Sequence, residues 1–386
     1  MKNNDINSYK DSKIFDIISK ILYKTIGSKC KLLYISSPGS SPSKVYMFKD
    51  ENNKMYAVKI CNINISRVSL HNEVKNAELL KPYLKKHLPK IIYIGKYKDF
   101  EIMISECFGI DNFFTSYSLN KKPIQFYLKI WSKVLLEIIN TWRNSKSYDY
   151  DPNLNPRNNN NRIKRIEKGV LNVEYNGYSI NSIKHLKVEI NGIEYFSLED
   201  TFNEIKKIKN PDFGVVCHGD PQPSNIIISE NDDNWYLVDW EWSGKNHDYR
   251  LMFSHLYGWW GTRLLSLKKF STFEVLDGKL IINYEVSKND EINEFQNMSW
   301  EILKNHFDLD ASDIDDINRF LSLLYLGDVR FLNIWGRLDY FPVLIGEAIK
   351  TIGFVKDKKR KINQNFTIKG DDLNGWFKKC NPILKR

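Results

Sequence analysis

Hydrophobic positions alone mark out most of the elements of this chain. Apolar residues at 14, 15, 17, 18, 21 and 22 give residues 14–26 one helical face, which Gly27 ends, behind a polar stretch, 1–12, that is expected to fray. Three apolar runs follow, at 32–35, 45–48 and 55–60, and read as successive strands. A small-residue loop, 36–43, joins the first two, and a turn at 50–54 joins the next. Between 66 and 81, Leu70, Val74, Ala77 and Leu80 recur at helical spacing until Pro82 closes or kinks the helix. Two more strands are predicted at 90–94 and 100–104. Pro123 then opens the strongest helix, with Ile124, Tyr127, Leu128, Trp131, Leu135, Ile138, Ile139 and Trp142 on one stripe and Lys129, Lys133 and Glu137 off it.

Beyond that helix the periodicity breaks. Residues 144–161, with Pro152, Pro156 and a run of asparagines at 158–161, read as a loop. Asn176-Gly177 and Asn191-Gly192 each follow a short alternating run and predict tight type I′ hairpins. Ser197 and Asp200 carry the spacing of a capping box, opening a helix towards Ile208. Short apolar runs at 215–217, 226–228 and 235–238 are separated by polar loops. Further on, 251–260 is helix-like, and Asp277-Gly278 marks another hairpin. A helix capped at 312–315 runs towards Trp335, and a last one spans 343–354.

Composition narrows the classes. A chain of 386 residues with 42% hydrophobic content has enough core for two modest domains or one large two-lobed unit. The net charge of +10 is spread along the chain and not clustered with aromatic platforms, so no nucleic-acid partner is expected. Cysteines at 30, 61, 107, 217 and 380 form no CxxC pair and read as reduced thiols of a cytoplasmic protein. The opening residues lack an apolar signal core, and no run approaches the roughly 18 uninterrupted apolar residues of a membrane span, so no membrane partner is expected.

Candidate chemistry concentrates in residues 215–239, VVCHGDPQPSNIIISENDDNWYLVD. Asp220 follows a buried-looking strand, Asn225 opens the next apolar run, and Asp239 ends the one after. Two carboxylates and an amide at the ends of apolar strands suit phosphoryl transfer from a magnesium nucleotide. Mg²⁺ takes hard oxygen ligands, and one further carboxylate has to orient the attacking hydroxyl. Lys59 sits in Ala57-Val58-Lys59-Ile60, the alternation expected when a strand pushes one ammonium into a cleft. Glu73 lies next to the apolar stripe of the following helix and is the first choice for its partner, with Glu78 second.

The spacing His218-x-Asp220-x-x-x-x-Asn225, then Asp239 after a hairpin, resembles the catalytic and metal-binding segments of the protein-kinase-like superfamily. HGDPQPSNI and LVDWEWSG resemble the aminoglycoside phosphotransferase and choline kinase branch, whose signature also carries an acid where Glu241 stands. The resemblance implies an α+β, bilobal protein-kinase-like fold. Residues 1–105 would form a small mixed-β nucleotide-binding lobe. Residues 106–386 would form a larger, mainly helical lobe for catalysis and acceptor binding, with an insertion at about 145–200. It further implies ATP (or GTP) and Mg²⁺, with Asp220 as catalytic base and Asn225 and Asp239 as metal ligands. Lys59, supported by Glu73, would lie on the nucleotide phosphates near Gly39, Ser40, Ser41 and Ser43, and the backbone of Glu106 and Cys107 would meet the adenine edge. His218 and Asp248 would be structural. Gln222 and Ser224 depart from the pattern, where the family often has His and Gly.

The acceptor is expected to be a small hydroxylated molecule: an aminoglycoside-like or other antibiotic first, choline, ethanolamine or a sugar second. The sequence leaves its identity open, as it does the oligomeric state. A nucleotide-binding pseudokinase is the alternative. A protein kinase is disfavoured because no long activation segment follows Asp239. Tyr257, Trp259 and Trp260, with Trp240, Trp242 and Trp335, read either as core or as a box for a quaternary ammonium. Asp111, Glu241, Asp328 and Asp339 are the acids available to a polyamine.

Overall fold

The alternation in the first hundred residues resolves into one antiparallel sheet. In the computed structural model, which describes residues 9–35, 43–64, 69–155, 158–229, 234–264, 268–287 and 289–356, α1 (Tyr9–Ile26) leads into β1 (Cys30–Ile35), β2 (Lys44–Asp50) and β3 (Met55–Asn62). Next come α2 (Leu70–Leu84), β4 (Ile91–Tyr97), β5 (Phe100–Cys107), α3 (Phe113–Ser118) and α4 (Ile124–Asn144). The strand order is β1-β2-β3-β5-β4, so β3 is central. Ile18 and Leu22 of α1 pack with Phe48, Val58, Ile60 and Ile104 to form the core of this region. Residues 9–12, expected to fray, are helical, and Gly27 ends α1 at φ +80°. Pro82 sits inside the last turn of α2 and does not end it, because the helix runs two residues further, to Leu84.

The described residues pack as two compact units, one within Met1–Ile130 and Val216–Gly244, the other within Trp131–Val215 and Lys245–Arg386. The fold is α+β. The second unit takes in α4 from Trp131 and continues with α5 (Asn159–Leu171), β6 (Glu174–Tyr175), β7 (Tyr178–Ser179), α6 (Ile180–Ile183), β8 (Val188–Ile190), β9 (Ile193–Tyr195) and α7 (Leu198–Ile205). The asparagine run read as a loop starts a helix instead. The Asn158 side chain accepts from the Asn161 N–H and caps α5, the use asparagine has at an N-cap. The capping box of Ser197 and Asp200 is present at the start of α7. After β10 (Val215–Cys217), β11 (Ile226–Ile228), β12 (Trp235–Leu237) and β13 (Gly244–His247) come α8 (Tyr249–Leu264), β14 (Lys268–Leu276) and β15 (Lys279–Val286). The chain then continues as α9 (Asp290–His306), α10 (Ala311–Val329), α11 (Leu332–Trp335) and α12 (Phe341–Lys356).

All three predicted tight hairpins carry positive φ at both central residues, at Asn176-Gly177, Asn191-Gly192 and Asp277-Gly278, as type I′ turns require. The hairpin inside the insertion is part of a larger sheet. β8 pairs in parallel with β15, giving a four-stranded sheet in the order β14-β15-β8-β9, with Val188 and Ile190 fully buried. In the same unit Asp248 is fully buried and grips Arg250 through both carboxylate oxygens, Oδ1 to Nε at 3.0 Å and Oδ2 to Nη2 at 2.9 Å. Arg250 also reaches Asp316 at 2.8 Å, so its buried charge is compensated from two elements. No helix among the described residues is long and apolar enough to cross a membrane.

Candidate active site

Lys59 lies on the central strand with its neighbours Val58 and Ile60 in the core, so the pleat sends its side chain to the other face of the sheet. There Nζ donates to both oxygens of Glu73, at 3.0 and 2.9 Å, and to Oδ1 of Asp239 at 2.5 Å. Glu73 is therefore the partner of Lys59. Glu78, the second choice, points to the surface and pairs with Lys81. Burial works against the charge on Lys59, but the carboxylates of Glu73 and Asp239 outweigh it and raise the pKa, so the ammonium stays charged.

Two anchors hold α2 in place to deliver Glu73. At its N-terminus the buried carboxylate of Glu101 accepts from the Leu70 N–H at 2.6 Å and from the Ser69 hydroxyl at 2.8 Å, a negative charge where the helix dipole favours one. Burial pushes the Glu101 carboxyl up, but its hydrogen bonds from Ser69, Leu70 and His71 win and hold it low. One turn past Glu73, Asn76 donates to the carbonyls of Trp240 at 3.3 Å and Glu241 at 3.1 Å, while the Trp240 N–H donates to Glu73 at 3.2 Å. The helix that positions the lysine thus also clamps the segment carrying Asp239. Neither Asn76 nor Glu101 was found from sequence, although Glu73 and Asn76 share a helical face by spacing.

The residues of the loops around His218 and Asp239 are tied together by hydrogen bonds. His218 donates from Nε2 to the Val238 carbonyl at 2.9 Å and accepts the Asp220 N–H at Nδ1, 3.3 Å away. A neutral ring with its proton on Nε2 satisfies both partners. Burial holds the His218 pKa down despite the nearby Asp220 and Asp239 charges, and both ring nitrogens are taken up by backbone partners, the arrangement of a strut. Gly219 has φ +79°, and a Cβ there would lie 2.1 Å from the Trp242 carbonyl oxygen. Asn225 gives its amide N–H to the Asp220 carbonyl at 2.9 Å, and its own carbonyl accepts the Val238 N–H at 3.0 Å. Asp239 itself is left-handed, at φ 68° and ψ 63°, a strained conformation that costs a non-glycine residue about 1–3 kcal/mol.

Asn225 is thus hydrogen-bonded to Asp220 and to Val238, the neighbour of Asp239, and Lys59 reaches Asp239. Glu241 joins them more closely than its place among the polyamine candidates suggested. Burial first, then the charge of Asp239, pushes its carboxyl up, with Lys59 opposing. Asn225 commits its side-chain amide nitrogen to the Asp220 carbonyl, and Asp239 reaches Lys59 through Oδ1. An amide oxygen and a carboxylate are a donor set that fits Mg²⁺. Among the described residues no group of three or more His, Cys, Asp or Glu is placed to hold a metal.

Gly39, Ser40 and Ser41 lie outside the described residues. Ser43 immediately precedes β2, whose Lys44 and Val45 pair with Ile60 and Lys59. Glu106 and Cys107 end β5. The Glu106 N–H is spent on the Lys90 carbonyl at 2.9 Å and its side chain pairs with Lys54 at 2.9 Å, while the Cys107 thiol donates to the Gly109 carbonyl at 3.2 Å. Just beyond, Phe108 stacks on Tyr236 at 3.8 Å, and the lack of a Cβ at Gly109 admits the Ile228 carbonyl. Tyr257, Trp259 and Trp260 are buried core residues, with Trp260 stacked on Phe295 at 4.2 Å. Asp111 pairs with Lys121, and Asp339 with Lys268.

No family model matches the sequence, and no curated protein matches it. Among solved structures the chain is similar to a choline kinase from Cryptosporidium parvum Iowa II, at 15% identity over 89% of this chain and 95% of that one, with a TM-score of 0.45. It is also similar to a macrolide 2'-phosphotransferase of type I (11% identity, 90% and 99% covered, TM-score 0.44). A third is an aminoglycoside-3'-phosphotransferase of type VIII (12% identity, 76% and 93% covered, TM-score 0.43). By name all three are small-molecule kinases or phosphotransferases.

Proposed function

We propose that the protein transfers the γ-phosphate of ATP to a hydroxyl of a small molecule. One observation carries this reading. Lys59, from the central strand, is held at once by Glu73 and by Asp239, which lies 180 residues further along the chain and shares a hydrogen-bonded loop system with Asp220 and Asn225. Such a cation, sheathed by two carboxylates, is preorganised to meet polyphosphate oxygens, and its position costs nothing further at the moment of reaction. Asp220 accepts a hydrogen bond and then the proton of the attacking hydroxyl, while the neutral His218 fixes the Asp220 backbone. Asn225 and Asp239 would hold Mg²⁺, which when bound neutralises charge on the transferring phosphates. The first acceptor to test is an aminoglycoside-like or other antibiotic, then choline, ethanolamine or a sugar.

The experiment is a panel of these acceptors with γ-labelled ATP, run beside Asp220→Ala. Transfer to at least one acceptor is expected, with a loss of about a hundredfold or more in the variant, the range for a positioned acid–base group. Nucleotide binding without transfer to any acceptor would instead identify a pseudokinase, and transfer undiminished in Asp220→Ala would remove the base from its assigned role.

A further inference from the structure

We propose that a cavity between α5 and the end of α10 binds a small polar molecule through its phosphate or carboxylate group, held by the guanidinium group of Arg330, with the charge of Arg165 nearby. The cavity encloses about 560 Å³ and is lined by Gly169, Asn172, Glu174, Arg330, Asn333 and Leu338, among others. That volume lies inside the range of about 300–1,000 Å³ typical of small-molecule sites. All of these residues belong to the second compact unit, which holds neither Lys59 nor Asp220, and the proposal does not depend on the phosphotransfer reading.

Arg330 is the exception among the partly or fully buried arginines of this unit. Arg250 is bound by Asp248 and Asp316, Arg319 by Asp316 and Glu204, and Arg162 by His255. Arg330 forms no ion pair among the described residues, and its Nε, like those of Arg162 and Arg319, is buried with no hydrogen-bond partner. A buried guanidinium donor without an acceptor costs free energy that a ligand oxygen would recover. Its aliphatic stem is fixed in place: a Cβ on Gly169 would lie 2.3 Å from its Cδ, so the stem fills the groove the glycine leaves on α5.

Arg165, one turn before Gly169 on α5, also makes no ion pair among the described residues. Burial and then the like charge of Arg165 hold Arg330 below the usual arginine range, with only Asp328 opposing. An uncompensated guanidinium group lining a polar cavity, with a second positive charge near it, is an arrangement that planar oxyanions satisfy. Asn172, Asn333 and the Glu174 carboxylate supply partners for hydroxyl or amino groups on the body of the same molecule.

The test uses the full chain in isothermal titrations with inorganic phosphate and, separately, with citrate, comparing wild type, Arg330→Gln and Arg165→Gln. At least one probe is expected to bind wild type and to lose about tenfold or more in affinity in Arg330→Gln, the worth of a charge-assisted hydrogen bond, with a smaller loss in Arg165→Gln. Phosphate sensitivity alone assigns a phosphate ligand, and citrate sensitivity alone a carboxylate. Binding that survives in Arg330→Gln belongs elsewhere on the molecule. If all of it survives, or if neither probe binds wild type, the proposal is wrong. Should Arg330→Gln fail to fold, Arg330→Lys keeps the charge but loses the planar fork. Its affinity is then expected to fall several-fold, and an unchanged affinity overturns the proposal.

Discussion

Glu73 offers the sharpest test of how the site is held. Its carboxylate accepts two bonds from Lys59, at 3.0 and 2.9 Å, and one from the Trp240 N–H at 3.2 Å, and its side chain is only 2% exposed. Glu73→Ala leaves the Lys59 ammonium buried with Asp239 as its remaining carboxylate partner. Breaking a buried pair in this way costs about 3–5 kcal/mol, and the contact with Asp239 puts this case at the lower end. The orphaned Trp240 amide adds about 1 kcal/mol, not strictly additively. A loss of about 3–4 kcal/mol is therefore expected. It would be read by urea denaturation followed by tryptophan fluorescence, with a lower midpoint and an unchanged slope.

The double variant Lys59→Met with Glu73→Leu separates charge from packing. Both buried charges are then gone, and Asp239, with its side chain 35% exposed, is left where water can solvate it. Replacing a buried ion pair by apolar groups is often close to neutral, so the double variant should be more stable than Glu73→Ala by about 2 kcal/mol while being inactive. Strictly additive losses in the two single variants would refute the claim that Lys59 and Glu73 hold each other in a buried pair.

Three further outcomes follow from the same geometry. Gly219→Ala places a Cβ 2.1 Å from the Trp242 carbonyl oxygen at a φ of +79°, so a folded variant should melt several degrees lower and lose most of its transfer activity. Glu101→Gln weakens the charged cap of α2 by about 1–2 kcal/mol, measured in the same urea assay, and should raise KM for ATP more than it lowers kcat, because it acts through Glu73 and Lys59. His218 has a folded pKa below its unfolded value of about 6.5. Between those two values the unfolded chain binds the extra proton, so the stability due to a neutral His218 is intact above about pH 6.5 and declines as the pH falls towards the folded pKa. In stability measured from pH 7.5 to 5, His218→Gln should therefore show a shallower decline than wild type, and an identical slope would show that the ring titrates freely.

Much of this was written locally in the chain. Alternation placed all five strands of the first sheet, and the Asn-Gly and Asp-Gly pairs fixed three hairpins, because a type I′ turn needs two residues that tolerate positive φ. Helical spacing put Glu73 beside the apolar face of α2, and the apolar runs marked the strands whose ends carry Asp220, Asn225 and Asp239. Other features depended on contacts no local pattern encodes. Glu101 reaches the start of α2 only because β5 passes beside it, and Glu241 feels Asp239 and Lys59 only once the loop has turned through a left-handed residue. The asparagine run looked like a loop because its cap is recognisable only when a helix follows, and the parallel pairing of β8 with β15 joins strands about ninety residues apart. The sequence by itself determined which groups are available and which short segments become strands and helices, since those are set by neighbours in the chain. Which charges end up buried together, and so which of them carry chemistry, was decided only by tertiary packing, because desolvation depends on everything that closes around a group and not on what precedes it.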